Sequence, residues 1–149
     1  MHKIIVAFNL VIIGSLSMLI SGCKVGEIKK PVVNVIKSKF TSVSLKHGRL
    51  DTQLSVSNPN VFKLPIETVS YKLFLNDKEF ISGATKQSMK IPAGGSQRVE
   101  LPLDIEYKKL LGGLGAIFKS KTIQFRLQGE VDLGLVTVPY QKIGEFKIN

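Results

Sequence analysis

A chain of 149 residues is one domain's worth, long enough to bury a single core. Its 21 lysines and arginines against 11 aspartates and glutamates give a net charge of +10, yet the basic residues are scattered. No arginine-rich tract with interleaved aromatics occurs, which, with the export signal described below, argues against nucleic acid as a partner. One cysteine and two histidines exclude an internal disulfide and leave little for a metal site, so burial of apolar side chains must hold the fold.

The chain opens with His2-Lys3 and an apolar run from Ile4 to Ile20, interrupted by Asn9 and a few serines. A charged start, an apolar middle and small residues before a cut are the layout of a secretory signal. Cys23, placed directly after Ile20-Ser21-Gly22, resembles the lipobox of bacterial lipoproteins, with isoleucine where leucine is commoner. Small side chains at Ser21 and Gly22 let the backbone lie extended in a peptidase groove, and the Cys23 thiol is the nucleophile that takes up a diacylglyceryl group. The alternative is an uncleaved spanning helix, for which the run is at the short end of the roughly 17–25 residues needed. Both readings hold the rest of the chain outside the inner membrane by its N-terminus.

The expected organisation is a lipoprotein signal peptide over 1–22, a tether over 23–31 and one domain over 32–149. Lys24 follows the cysteine in place of aspartate, which favours the outer membrane in a two-membrane bacterium. Lys24, Lys29, Lys30, Lys37 and Lys39 cluster after the anchor. They are expected near phospholipid phosphates, where each contributes about 1 kcal/mol. The expected partners are the membrane through the lipid, with anionic headgroups or an envelope protein as further candidates. The oligomeric state is left open.

From Pro31 onward the dominant period is two. Leu50, Thr52, Leu54 and Val56 alternate with polar residues, as do Val69, Tyr71 and Leu73. Val99, Leu101, Leu103 and Ile105 follow, then Ile123, Phe125 and Leu127, and last Phe146 and Ile148. Such alternation marks strands with one buried and one wet face. Asn76-Asp77 and Ala93-Gly94-Gly95 are turn signals between the runs. Tyr107, Leu110, Leu111, Leu114, Ile117 and Phe118 recur instead at helical spacing, so a short helix is expected near 107–118. Gly112, Gly113 and Gly115 weaken it by up to about 1 kcal/mol each. The pattern predicts an antiparallel β-sandwich of about seven strands with one short helix. Its core is expected from Leu54, Val56, Val69, Tyr71, Leu73, Val99, Leu101, Phe125, Leu127 and Phe146.

Asn58-Pro59-Asn60 closes the first strong strand: Pro59 cannot donate to a ladder and Asn60 tolerates the left-handed region. Gly83, then Ile91-Pro92-Ala93-Gly94, then Gly129, Val138-Pro139 and Gly144 follow in order. This ordered set resembles the late embryogenesis abundant type 2 family, also described as the water stress and hypersensitive response domain, over roughly residues 32–149. The resemblance implies an immunoglobulin-like or fibronectin type III-like sandwich with a small helix. It also implies a non-enzymatic role in tolerating water loss, in which these residues are fold determinants. A scaffolding lipoprotein that docks a protein partner is the competing class.

Catalytic constellations are poor. His47 is the single imidazole after residue 22 and lies in the polar stretch Lys46-His47-Gly48-Arg49. No Gly-x-Ser-x-Gly elbow is present, and Gly112-Gly113-Leu114-Gly115 lacks the Lys-Ser/Thr pair of a phosphate loop. Asp104 with Glu106 and Glu130 with Asp132 sit two apart near strand ends, where solvated rim charges are the expectation. No catalytic residue, metal or cofactor is expected.

Overall fold

The computed structural model describes residues 27–43, 47–106 and 122–147. Among them every regular element is a strand: β1 (Val32–Val43), β2 (His47–Ser57), β3 (Leu64–Leu75), β4 (Lys78–Ile91), β5 (Ser96–Glu106), β6 (Thr122–Asp132) and β7 (Thr137–Lys147). The helix expected near 107–118, and Ile148, lie outside the described residues. All pairings are antiparallel. They make a three-stranded sheet in the order β1-β2-β5 and a four-stranded sheet in the order β4-β3-β6-β7.

Alternation explains how the two sheets meet. On β2, Leu50, Thr52, Leu54 and Val56 all point inward and are buried, while the residues between them stay at least partly wet. Leu103, Leu101 and Val99 of β5 stand opposite Leu50, Thr52 and Leu54, so one face of this sheet is continuously apolar apart from Thr52. The Thr52 hydroxyl is satisfied by Ser38 Oγ at 3.1 Å. The second sheet presents Val69, Leu73, Leu75, Ile123, Leu127 and Val131 to the same core. Tyr71 and Phe146, expected as core, are half-buried against its margin. Phe146 stacks on Phe40 at 3.9 Å, and Phe40 meets Phe125 edge-on at 5.5 Å, so this trio joins β1 to the second sheet.

Three connections are decisive. Asn76 and Asp77, with φ of 46° and 65°, form the two-residue turn between β3 and β4. Two successive positive φ values are what a tight hairpin needs to match strand twist. Residues 58–63 carry the chain from β2 in one sheet to β3 in the other, and 92–95 carry it back from β4 to β5. Both crossovers lie at the end of the sandwich where β1 begins, because Ser57 pairs with Val32 on one side and Ser96 on the other.

The last residues of the stretch read as a tether are docked on the domain. Pro31 is buried, and Lys29 is hydrogen-bonded to the domain. Lys37 and Lys39 belong to β1 and lie five and seven residues beyond Val32. At about 3.3 Å per residue that is roughly 16 and 23 Å along the strand. This exceeds the screening length of about 8 Å, so these two lysines do not share the electrostatic neighbourhood of the chain's exit.

Candidate functional site

Asn58 and Asn60 are buried polar residues, and every donor of their side-chain amides is used. Asn58 Nδ2 donates to the carbonyls of Phe62 (2.6 Å) and Pro92 (3.2 Å), while its Oδ1 accepts from Asn60 N (3.0 Å) and Nδ2 (3.0 Å). Asn60 holds Lys29 from both sides, donating from Nδ2 to the Lys29 carbonyl at 2.9 Å and accepting the Lys29 N–H on Oδ1 at 2.8 Å. Backbone bonds complete the cluster, from Asn58 N to Gly95 O (2.8 Å) and from Gly94 N to Asn60 O (2.9 Å). Pro59 between them is exposed. The knot therefore ties together the β2–β3 and β4–β5 crossovers and the incoming chain. An alanine at either asparagine would leave buried groups of the other asparagine and part-buried backbone groups unpaired.

The rest of the Ile91-Pro92-Ala93-Gly94 turn serves the same knot. Ile91 is fully buried as the last residue of β4, and the Pro92 carbonyl accepts from Gly95 N at 3.1 Å. Gly94 has φ of 63°, a conformation costly for a residue with a β-carbon.

Gly83, Gly129 and Pro139 come together in a groove of about 710 Å3 in the four-stranded sheet. Its walls include Ser70, Tyr71, Lys72, Gln128, Glu130 and Tyr140. Here the β3–β6 ladder lapses, with pairing present at Val69–Val131 and Lys72–Gln128 but absent between them. Ser70 bridges the gap by its side chain, accepting from Glu130 N at 3.0 Å. Tyr140 on β7 reaches across β6 and donates its hydroxyl to the Ser70 carbonyl at 2.8 Å. Gly129 makes that crossing possible, because a β-carbon there would overlap the Ser70 carbonyl and stand 2.8 Å from the Tyr140 hydroxyl. Gly83 lies under the Tyr71 hydroxyl and Gly144 under the Phe125 ring. Pro139 sits on β7, an edge strand, where its missing donor is tolerated.

The groove's chemistry is hydrogen bonding. Burial, with a smaller contribution from Tyr71, pushes the Tyr140 hydroxyl well above its usual range, so it stays protonated and is no base. Tyr140 stands next to the Val138-Pro139 pair but carries no motif of its own in the sequence. The available signal was glycine inside two strand patterns, which marks close approach of a neighbouring group.

The charged candidates remain at the rim. His47, Asp104 and Glu106 are exposed at the opposite end of β2 and β5. Arg49 Nε donates to Asp51 at 2.8 Å, and the Arg49 and Thr41 hydrogen bonds hold the Asp51 carboxyl below its usual range. Glu130 faces solvent at the groove, and Asp132 Oδ1 accepts from Gly134 N at 2.9 Å to shape the β6–β7 loop. Among the described residues no group of three or more His, Cys, Asp or Glu is placed to hold a metal, and no helix is long and apolar enough to cross a membrane. Ile20, Ser21, Gly22 and Cys23 lie outside the described residues.

The family model for late embryogenesis abundant protein matches residues 53–144, which run from β2 to β7 and include both the knot and the groove. The chain belongs to the late embryogenesis abundant type 2 family. A desiccation protectant protein Lea14 homolog of Glycine max is 27% identical over 134 residues, covering 84% of this chain and 86% of the soybean protein. An uncharacterized protein of Methanocaldococcus jannaschii is 25% identical over 118 residues, or 77% of this chain, which spans 64% of that protein's length. The solution structure of an Arabidopsis thaliana protein has a TM-score of 0.64 at 22% identity, covering 81% of this chain and 83% of that one. That likeness is one of fold.

Proposed function

We propose that this chain is a non-enzymatic lipoprotein of the bacterial envelope, held at a membrane through Cys23, that protects against water loss. Family membership over the body of the domain carries the proposal, and a relative named as a desiccation protectant supports it. Residues 1–22 act as the cleaved signal, and Lys24 directs the mature chain to the outer membrane where there are two. The physical route is direct. A rigid sandwich with polar outer strand faces and exposed lysines offers hydrogen bonds to headgroups and to unfolding proteins as bulk water is withdrawn. The groove in the four-stranded sheet, with Ser70, Gln128 and Glu130 on its walls, adds to that surface.

We also assign the sandwich to the fibronectin type III kind. The fourth strand lies beside the third, whereas in immunoglobulin constant domains it joins the first sheet.

A second reading has one observation in its favour. β4 is an edge strand exposed from Ser82 to Lys86, a geometry suited to docking an extended segment of an envelope protein. A deletion strain separates the two. Loss of survival on drying or osmotic shock, restored by the native gene but not by a C23S form, supports protection at the membrane. A defect confined to one envelope machine, with normal survival on drying, overturns it in favour of scaffolding.

A further inference from the structure

The exposed large apolar side chains are distributed unevenly. Ile28, Val32, Val61, Phe62, Met89 and Leu135 stand at the end of the sandwich where the chain enters, leaving Ile36 and Ile143 elsewhere among the described residues. Val61 is 95% exposed and Leu135 65% exposed, so neither is covered by the fold.

These side chains are not on loose loops. Val61 is held between Asn60 and Phe62, whose backbone groups are both fixed by the Asn58 side chain. Leu135 is presented by a tight loop in which Leu133 N donates to Val136 O at 3.0 Å and Gly134 takes a φ of 77°. That loop rests against Pro65 and Glu67 at the start of β3, directly after the Val61 loop. A fold that braces bulky apolar groups in water, on adjoining loops, presents a surface for a partner.

The position of the chain's entry identifies that partner. Asn60 grips Lys29 beside Val61, and Cys23 is six residues upstream. Six extended residues span at most about 21 Å. A lipid on Cys23 therefore keeps this end of the domain within reach of the bilayer, whereas the opposite end is a full strand length away. The charges here are mixed, with exposed Lys29, Lys30, Lys63 and Lys90 against Glu27 and Glu67. Electrostatic attraction is accordingly modest, and apolar insertion dominates.

We infer that the chain-entry end is a lipid-contacting surface, with Val61 and Leu135 seated in the interfacial region of the membrane that holds Cys23. The inference rests on the proposed lipid attachment and adds a fixed orientation to it, with the sandwich upright and β1 leading away from the bilayer.

The chain contains no tryptophan, so a single introduced indole is an unambiguous reporter. The full lipidated chain carrying V61W is reconstituted into vesicles containing brominated phosphatidylcholine, beside a K78W form with the indole at the far end. The expected result is blue-shifted V61W emission, quenched several-fold more by brominated acyl chains than by aqueous iodide, with the reverse for K78W. A membrane-bound V61W form as open to iodide as K78W overturns the inference while leaving the attachment intact. Blue-shifted emission unaffected by brominated lipid also overturns it and indicates that copies of the chain cover this end. A chain that does not float with vesicles at all refutes the attachment, and the inference with it.

Discussion

Asn58 shows how much a single buried amide organises. Its donors and acceptor hold the β2–β3 crossover, the β4–β5 turn and, through Asn60, the entering chain. Asn58→Ala strands the two Asn60 groups in a buried site and two part-buried carbonyls, at about 1–3 kcal/mol for each buried group left unpaired. A net loss of about 3 kcal/mol in urea unfolding is expected, with the slope unchanged. A loss under 1 kcal/mol would mean that water replaces the amide. Tyr140 gives the pH dependence. The folded chain keeps this phenol protonated to higher pH than the unfolded chain, whose value is near 10.0. The resulting stabilisation is complete below that pH and is lost as the pH climbs through the folded-state value. Native protein should therefore lose stability steeply on alkaline titration. Tyr140→Phe should lose about 1 kcal/mol at neutral pH, with the hydrogen bond to Ser70, and show a shallower alkaline slope.

At the scale of elements, the glycines of the four-stranded sheet separate by what they face. At Gly129 a β-carbon meets the backbone carbonyl of Ser70, so Gly129→Ala must push β6 from β3 and break the Tyr140 crossing. At Gly83 it meets the Tyr71 hydroxyl at 2.6 Å, the far end of a half-buried ring that can rotate away. Overpacking against a fixed group costs about 1–3 kcal/mol or more. G129A should fall in or above that range and G83A well below it, measured side by side by thermal unfolding. Equal effects would show that the sheet yields at Gly129.

The same scale explains what the sequence disclosed. β2 and β5 were legible because each alternates with buried residues at every second position. β1 hides its period behind register shifts at Val35/Lys37 and Phe40/Ser42. β4 has almost no apolar alternation because its middle is an exposed edge. The Asn-Pro-Asn knot was visible as a motif, but its grip on Lys29 was not, since a contact 31 residues apart leaves no periodic trace. The groove escaped because it depends on a lapse in a ladder, which composition does not encode.

For the whole molecule, the chain enters at one end, makes its β2–β3 and β4–β5 crossings there, and places there most of the exposed large apolar side chains among the described residues. That polarity gives the domain a direction, and lipid at Cys23 would turn direction into orientation. It also divides the basic cluster expected near the anchor: Lys29 and Lys30 stay at the entering end, whereas Lys37 and Lys39 are carried away along β1. The surface readings, protective or scaffolding, both presuppose a domain held at a membrane, so attachment is the claim on which the account turns. Intact-mass analysis of the protein from its native envelope measures it directly. The expected mass is that of a chain beginning at Cys23, heavier than residues 23–149 by a diacylglyceryl group and a further acyl chain. An unmodified cysteine with residues 1–22 still attached would contradict it.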